Sequence, residues 1–492
     1  MEHRHVESMS SPSPAADDVR GLTRRSLFDR VGTSLYGTAL TWLLGRDLFG
    51  GTSLSAAESS SASASHHRVF DLKSRPPQFD PKAKAVIQLF MQGGPSHVDL
   101  FDPKPALDRH HGESYFDKLA ADLTGPETAG ALMRSPFRFA RHGESGIELS
   151  EVLPHLAEVV DDITVIRSMF TTHPNHEPAV LKFQTGQLRP GYPAMGAWVV
   201  YGLGSENENL PAYVVLANPV RRLPVGGVQN WQSAFLPPIY QGTRIRSVGA
   251  PLLNLTRESS PPDEVVNLEQ NLLSRLNRIH HRMHPDQLRL DARISSYQLA
   301  AQMQMSAGDA LDVDRETAAT RALYGLDQKQ TENFGRRCLM ARRLVERGVR
   351  FVQICTQGQI WDNHGSIGPG LRGCCGRTDQ PVAALLKDLK QRGLLDSTLV
   401  IWGGEFGRMP IAQIASKKNV QNAGRDHNPR GFSLWMAGGG VKAAPCTGRP
   451  MKSVTKRSRT RSALATGTPP CCICWACTTR RCSSRATVSM SG

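Results

Sequence analysis

A mostly parallel α/β sheet covered by helices on both faces is the fold class that this sequence of 492 residues predicts. Three observations point to it. Apolar runs of strand length, rich in β-branched residues, recur along the chain, as at 349–355 and 397–402. Segments with apolar spacings of three and four, at about 332–347 and 382–392, lead into those two runs. Loops dense in acids, histidines and glycines then follow the strands, where open α/β sheets place their chemistry.

Residues 1–20 are polar and aperiodic. A twin arginine, Arg24-Arg25, then precedes a modestly apolar run from Val31 to Leu44 and small residues from Ser53 to Ala57. That order resembles a bacterial twin-arginine export signal, so residues 1–58 are expected to engage the export machinery and send the chain to the periplasm or cell surface. An ordinary N-terminal helix is the alternative. Gly32, Gly37 and Gly45 interrupt the run, which is too short and too polar for a stable transmembrane span. Residues 59–76 begin with a Ser/Ala-rich stretch and are expected to be a disordered linker. The folded domain is placed at 77–442.

Within it, strands are expected at 85–91, 163–166, 212–216, 350–355 and 398–402. A helical turn at 179–184 is stopped by Thr185-Gly186, and residues 263–307 and 314–324 are helix-rich. The helix at 382–392 ends at Gly393. No internal repeat is present.

A formal charge of +15 invites a nucleic-acid partner, but its distribution argues against one. Residues 441–492 hold ten basic residues and no acids, and the remaining 49 basic and 44 acidic residues leave a net of +5. No basic stripe with interleaved aromatics stands out. Six of the ten cysteines lie in the same tail; Cys338, Cys355, Cys374 and Cys375 have no zinc-ligand spacing.

Three clusters dominate the stretch from Arg350 to Trp435. Asp362 and His364 sit two apart on a loop, so both can face one ion; a turn-capping Asp with a surface His is the competing reading. Glu405 follows directly from a strand among Gly403, Gly404 and Gly407, as a metal ligand or as the acid of an ion pair with Arg408. Asp426-His427 lies in a loop where the Asp either ligates, orients a ligating His or caps a turn. Earlier in the chain, His97 and Asp99 have ligand-like spacing, and His173, His176 and Glu177 form a denser group. Such carboxylates and imidazoles suit a borderline divalent metal, zinc or manganese. The run from His280 to His284 reads as exposed surface. Neither a Gly-rich phosphate loop nor a Gly-x-Ser-x-Gly elbow is present.

The run from Gly93 to Pro105 closely resembles a signature of a bacterial, planctomycete-type family labelled domain of unknown function 1501. Residues 192–198 and 320–325 fit the same family, as do the Gly-Glu-Phe-Gly-Arg and Gly-Arg-Asp-His-Asn motifs, and the resemblance runs from about residue 20 to 442. The family looks like a branch of the alkaline phosphatase and sulfatase superfamily. The resemblance therefore implies an alkaline-phosphatase-like α/β sandwich and metal-dependent hydrolysis of phosphate or sulfate esters. Residues 394–402 resemble the sulfatase segment entering its Asp-His-Gly metal motif, with Glu405 at the Asp position, Phe406 at the His position and Gly407 at the Gly. His176 stands where the sulfatase nucleophile would be, which excludes a formylglycine sulfatase. A water activated by the metal remains a nucleophile that needs no side chain.

After Gly438–Gly440 the sequence becomes basic, Cys-rich and acid-free. Cys474-x-x-Cys477 weakly suggests a metal module, and a genuine anion-binding tail is another reading. A frameshift explains more: with permitted codons the neighbouring frame of residues 468–477 spells an apolar segment, and the next residues spell one containing histidines, like the family's usual ending. Residues 443–492 are thus expected to be an aberrant tail off the domain.

The leading expectation is an exported metallohydrolase of a small anionic ester. Asp362, His364, Glu405 and His427 are the first metal ligands, followed by His97 and His176 and then by Asp99, His173 and Asp426. His176 is placed in the catalytic set, and Arg408 and Arg425 there bind the anionic group bidentately. A non-catalytic exported binding or structural protein that keeps the fold is the alternative.

Overall fold

The computed structural model describes residues 71–77, 80–115, 124, 126–217, 223–247, 262–283, 294, 297–299, 303, 308–414, 422–442 and 462–463. Its strands in chain order are β1 (Ala85–Phe90), β2 (Ala129–Leu132), β3 (Phe139–His142), β4 (Ile147–Ser150), β5 (Ile163–Phe170), β6 (Tyr213–Ala217), β7 (Thr243–Arg246), β8 (Phe351–Cys355), β9 (Thr398–Gly403), β10 (Gly407–Arg408), β11 (Ile411–Gln413), β12 (His427–Asn428), β13 (Phe432–Ala437) and β14 (Ser462–Ala463).

Eight of them form one sheet in the order β14-β5-β13-β9-β1-β8-β6-β7. From β9 to β7 every neighbouring pair is parallel, whereas β13 runs antiparallel to both β9 and β5. The mostly parallel α/β class is therefore the observed one. β1, β8 and β9 are buried along their whole length, which is why they read as continuous apolar runs rather than alternating ones.

Alternate residues of β1 serve opposite faces of the sheet. Ile87 and Leu89 pack with Leu339 and Leu344 of helix Glu332–Glu346 and with Leu371 and Leu385 of helix Ile367–Gln391. Val86 packs on the other face with Phe351, Leu399, and Ala197 and Val200 of helix Met195–Leu203. Helices thus cover both faces, and the carboxyl ends of β1, β8 and β9 emerge side by side at one edge.

Several elements depart from expectation. Helix Ile367–Gln391 starts fifteen residues before the predicted 382 and carries Pro381 inside it. Gly368, Gly370, Gly373, Gly376 and Pro381 read as breakers, but two of these glycines are set by packing. A β-carbon at Gly370 would lie 2.5 Å from Asn363 Nδ2, and one at Gly376 would collide with the Gln330 amide. Burial of Leu371, Cys374, Cys375 and Leu385 outweighs the propensity cost of about 1 kcal/mol per glycine. β5 runs four residues past its predicted end, and β7 and β13 were not expected as strands. Helix His176–Thr185 stops where predicted, with Gly186 left-handed and its N–H donating to Lys182 O at 3.0 Å.

The amino-terminal boundary also moves. Residues 71–76, expected within the disordered linker, are tied to the domain: Lys73 bridges Ser205, and Arg75 donates to Leu203 O through its backbone and to Tyr201 O through Nη1 at 2.6 Å. The export segment 1–58 and residues 59–70 lie outside the described residues. So does most of the tail, but Ser462–Ala463 pairs in parallel with Met169–Phe170 of β5, so one piece of that tail sits on the sheet. Among the described residues, no helix is long and apolar enough to cross a membrane.

Candidate metal centre

Three chain segments meet at the carboxyl edge of the sheet. His176 opens helix His176–Thr185, Asp362 and His364 come from the loop after β8, and His427 comes from β12. The β10–β12 pairing puts Arg408 opposite His427, and bridges from Gly365 to Ala423 and from Gln413 to Gly424 bring the two loops together. Gly424 is required for that approach, because any β-carbon there would run into the His364 backbone.

One nitrogen from each of His176, His364 and His427 and one oxygen of Asp362 lie within 4.8 Å of one another. His364 Nε2 is 2.9 Å from Asp362 Oδ1 and 2.9 Å from His427 Nε2. His427 Nε2 is 3.2 Å from Asp362 Oδ1, and His176 Nε2 is 3.2 Å from Asp362 Oδ2. The far nitrogens of two imidazoles are held. His176 Nδ1 meets Glu405 Oε1 at 2.7 Å, and His364 Nδ1 meets Gln413 Oε1 at 2.5 Å. A carboxylate and an amide oxygen accept there, so each Nδ1 carries the proton and each Nε2 is bare toward the cluster in the neutral ring. Phe406 walls the site, with its ring centroid 4.9 Å from His176 and 4.4 Å from His427.

The donor set fits a divalent ion. Tetrahedral bonds of about 2.0–2.1 Å place ligand atoms about 3.3 Å apart, close to the 2.9 and 3.2 Å separations found here. Three imidazoles and one carboxylate suit zinc, manganese or iron.

Electrostatics follow from the packing. Burial works against charge on His176, but hydrogen bonds and attraction from Asp362 and Glu405 outweigh it and raise its pKa to about 9. The Asp362 bond raises His364, against burial. Burial dominates at His427 and lowers it, with the Arg408 charge adding to the effect. Asp362 pays a desolvation cost, yet bonds from the three histidines and the Arg408 charge hold it far below the usual carboxylate range.

The other expected site residues lie outside this converging set. Glu405 is buried behind His176, accepting from Gly93 N at 2.9 and 3.2 Å, so it orients a donor instead of joining the converging set. Asp426 Oδ1 accepts from His427 N at 2.8 Å and Oδ2 from Thr124 N at 2.9 Å; it positions the His427 backbone. Asp99 and Arg425 form a bidentate pair at 2.7 and 3.0 Å with no exposed surface. Arg425 donates further to the carbonyls of Met409, Met133 and Arg134, so its guanidinium is consumed and offers nothing to an anion. Arg408 is equally buried, bonded to Gly93, Gly94, Trp361 and Arg425 carbonyls and 2.6 Å from Asp362 Oδ1, so it braces the ligand carboxylate.

His97 is buried apart from the cluster beside Gly407, and burial lowers its pKa to about 4. His173 is half-buried and accepts from Asn175 N at 3.1 Å, just ahead of the 176–185 helix. Gln413 was missed by sequence reasoning. Its role comes only from a ribbon pairing that brings residue 413 to residue 364.

Residues 83–457 match the family described as protein of unknown function (DUF1501). No curated protein matches the chain. Among solved structures, it is similar to the lipoteichoic acid synthase LtaP from Listeria monocytogenes at 8% identity and a TM-score of 0.30, over 76% of this chain and 68% of that one. The PsFucS1 sulfatase from Pseudoalteromonas sp. shares 12% identity at a TM-score of 0.31, over 77% and 65% of the two chains. The alkaline phosphatase of the Antarctic bacterium TAB5 shares 11% identity at 0.27, over 73% and 92%. Similarity at this level assigns neither activity nor substrate to the chain.

Proposed function

The chain belongs to the DUF1501 family, and from that premise and its converging imidazoles we propose an exported, metal-dependent hydrolase of phosphate or sulfate esters. One observation carries the reading: three histidines and an aspartate aim at a common point, with the far nitrogens of His176 and His364 fixed by Glu405 and Gln413. A divalent ion held by these residues would supply Lewis acidity toward an ester oxygen and an activated water, so no side-chain nucleophile is needed.

The residues around it have separate tasks. Asp362 keeps its charge because Arg408 and the histidines surround it, and Arg408 fixes its orientation. Glu405 holds His176 in one tautomer. Phe406 excludes water from one side of the imidazoles. Asp362, Glu405 and Arg408 together carry one negative charge, so a dication leaves the centre net positive, which favours an anionic ester. Residues 1–58 act as the export signal in this reading.

The count of donors supports a second reading. Four protein ligands close a tetrahedral zinc ion, as structural sites do, whereas manganese or iron keeps open positions. A zinc-loaded form would then be a non-catalytic exported protein. The test is metal analysis of purified protein beside turnover of aryl phosphate and aryl sulfate esters, with His427→Ala in parallel. Stoichiometric metal and turnover, both lost in the variant, support the hydrolase. Metal without turnover under zinc, manganese and iron favours the second reading, and metal-free protein overturns both.

A further inference from the structure

Helix Asp263–Met283 is 21 residues long, about 32 Å by its rise per residue. Val265, Leu268, Leu272, Leu276 and Ile279 fall on one stripe of it, at spacings of three and four. In a helix packed on its own domain that stripe would face the core. Here Leu268 is 69% exposed and Val265 and Leu276 are each 41% exposed, while Leu272 and Ile279 are half-buried. Gln270, Ser274 and Asn277 are instead half-buried and, with Leu273 at 52% exposure, line a groove shared with Ser205 and Asn207. Over the described residues, the apolar face of this amphipathic helix therefore points outward.

Its charges are polarised along the axis. Glu264 and Glu269 lie in the first half and Arg275, Arg278 and Arg282 in the second. We propose that this face is an interface between two copies of the chain, the helices antiparallel about a twofold axis at Leu272. That axis sets Leu268 against Leu276 of the second copy and Val265 against Ile279. It also sets Glu264 beside Arg282 of the second copy, on the same flank of the stripe. A twofold contact must be self-complementary, and this stripe is so in both shape and charge. A membrane surface would match the apolar stripe but not the acidic half, which an anionic headgroup repels.

The test uses the full chain in sedimentation equilibrium over a range of concentrations. The wild type should sediment at twice the monomer mass at the upper concentrations. Leu268→Glu with Leu276→Glu should shift it to monomer with its circular dichroism unchanged. Because that variant can misfold, a charge swap serves as a second arm. Glu264→Arg alone and Arg282→Glu alone each place like charges across the axis and should weaken pairing at least tenfold. Mixing the two restores both pairs and should restore the dimer. Wild type that stays monomeric, a dimer indifferent to both arms, or a mixture that fails to associate overturns the proposal. So does monomer that binds vesicles of phosphatidylglycerol with the charge variants unaffected.

Discussion

Replacing Glu405 with glutamine separates the charge behind His176 from the shape that holds it. The carboxylate is fully buried and accepts from His176 Nδ1 at 2.7 Å and from Gly93 N at 2.9 and 3.2 Å. Glutamine fits the same space and keeps one carbonyl acceptor, but a charge-assisted bond of about 1.5–3 kcal/mol becomes a neutral one of about 0.5–1.5 kcal/mol. The difference, roughly 1–2 kcal/mol, is lost from the basicity and orientation of His176 Nε2. Since about 1.4 kcal/mol is tenfold, zinc or manganese affinity should fall roughly 5- to 30-fold, overlapping the roughly 10- to 100-fold range seen when outer-shell partners of metal-bound histidines are altered. A competition titration against a chromophoric chelator at constant pH reads this directly. His364→Ala, which removes a donor outright, should cost more. Unchanged affinity in a folded Glu405→Gln protein would show that the Glu405 contact does not govern the donor, and the assignment of the site would fall with it.

Asp99→Ala strands the Arg425 guanidinium without exposed surface and should cost about 3–5 kcal/mol in urea unfolding, whereas Asp99→Leu with Arg425→Met should cost less than either single change. Gly94 has a φ of +75° and a β-carbon there would lie 2.5 Å from Phe406 Cδ2, so Gly94→Ala should lower stability by about 1–3 kcal/mol, read as a fall in the urea midpoint at unchanged slope. Folding raises the His176 pKa to about 9, so in metal-free protein its stabilising contribution is complete below about 6.5 and is lost as pH rises through 9. Metal affinity should climb over the same window, because the proton on His176 competes with the ion. Flat stability and flat affinity between pH 6.5 and 9 would contradict that account.

The central sheet was legible because β1, β8 and β9 are buried on both faces and carry unbroken apolar runs. β13 was harder to see. It is antiparallel, and the reading of the stretch through Trp435 rested on its polar clusters, not on its backbone. Helix Ile367–Gln391 was hidden by glycines whose reason is tertiary, a close approach to Asn363 and Gln330. Residue types picked out Asp362, His364 and His427, since acids and imidazoles followed strands. They did not reveal geometry. Arg425 and Asp99 are as polar as His427, and only burial and a bidentate contact across 326 residues separate brace from donor. His176 was read both as standing at the nucleophile's position and as a second-rank ligand; the fold brings it to the other donors.

The position of β1 has a consequence for how the chain is made. Residues 85–90 leave the ribosome early, yet Val86 pairs with Phe351 on one side and Leu399 on the other. At about 5–20 residues per second, roughly ten seconds to a minute pass before either neighbour exists. Through that interval a six-residue apolar segment has both hydrogen-bonding edges unmet, which is the pattern that recruits other strands into aggregates. Production of this protein should therefore depend on holdase chaperones that shield the nascent chain, and slowing synthesis should worsen its yield of soluble product.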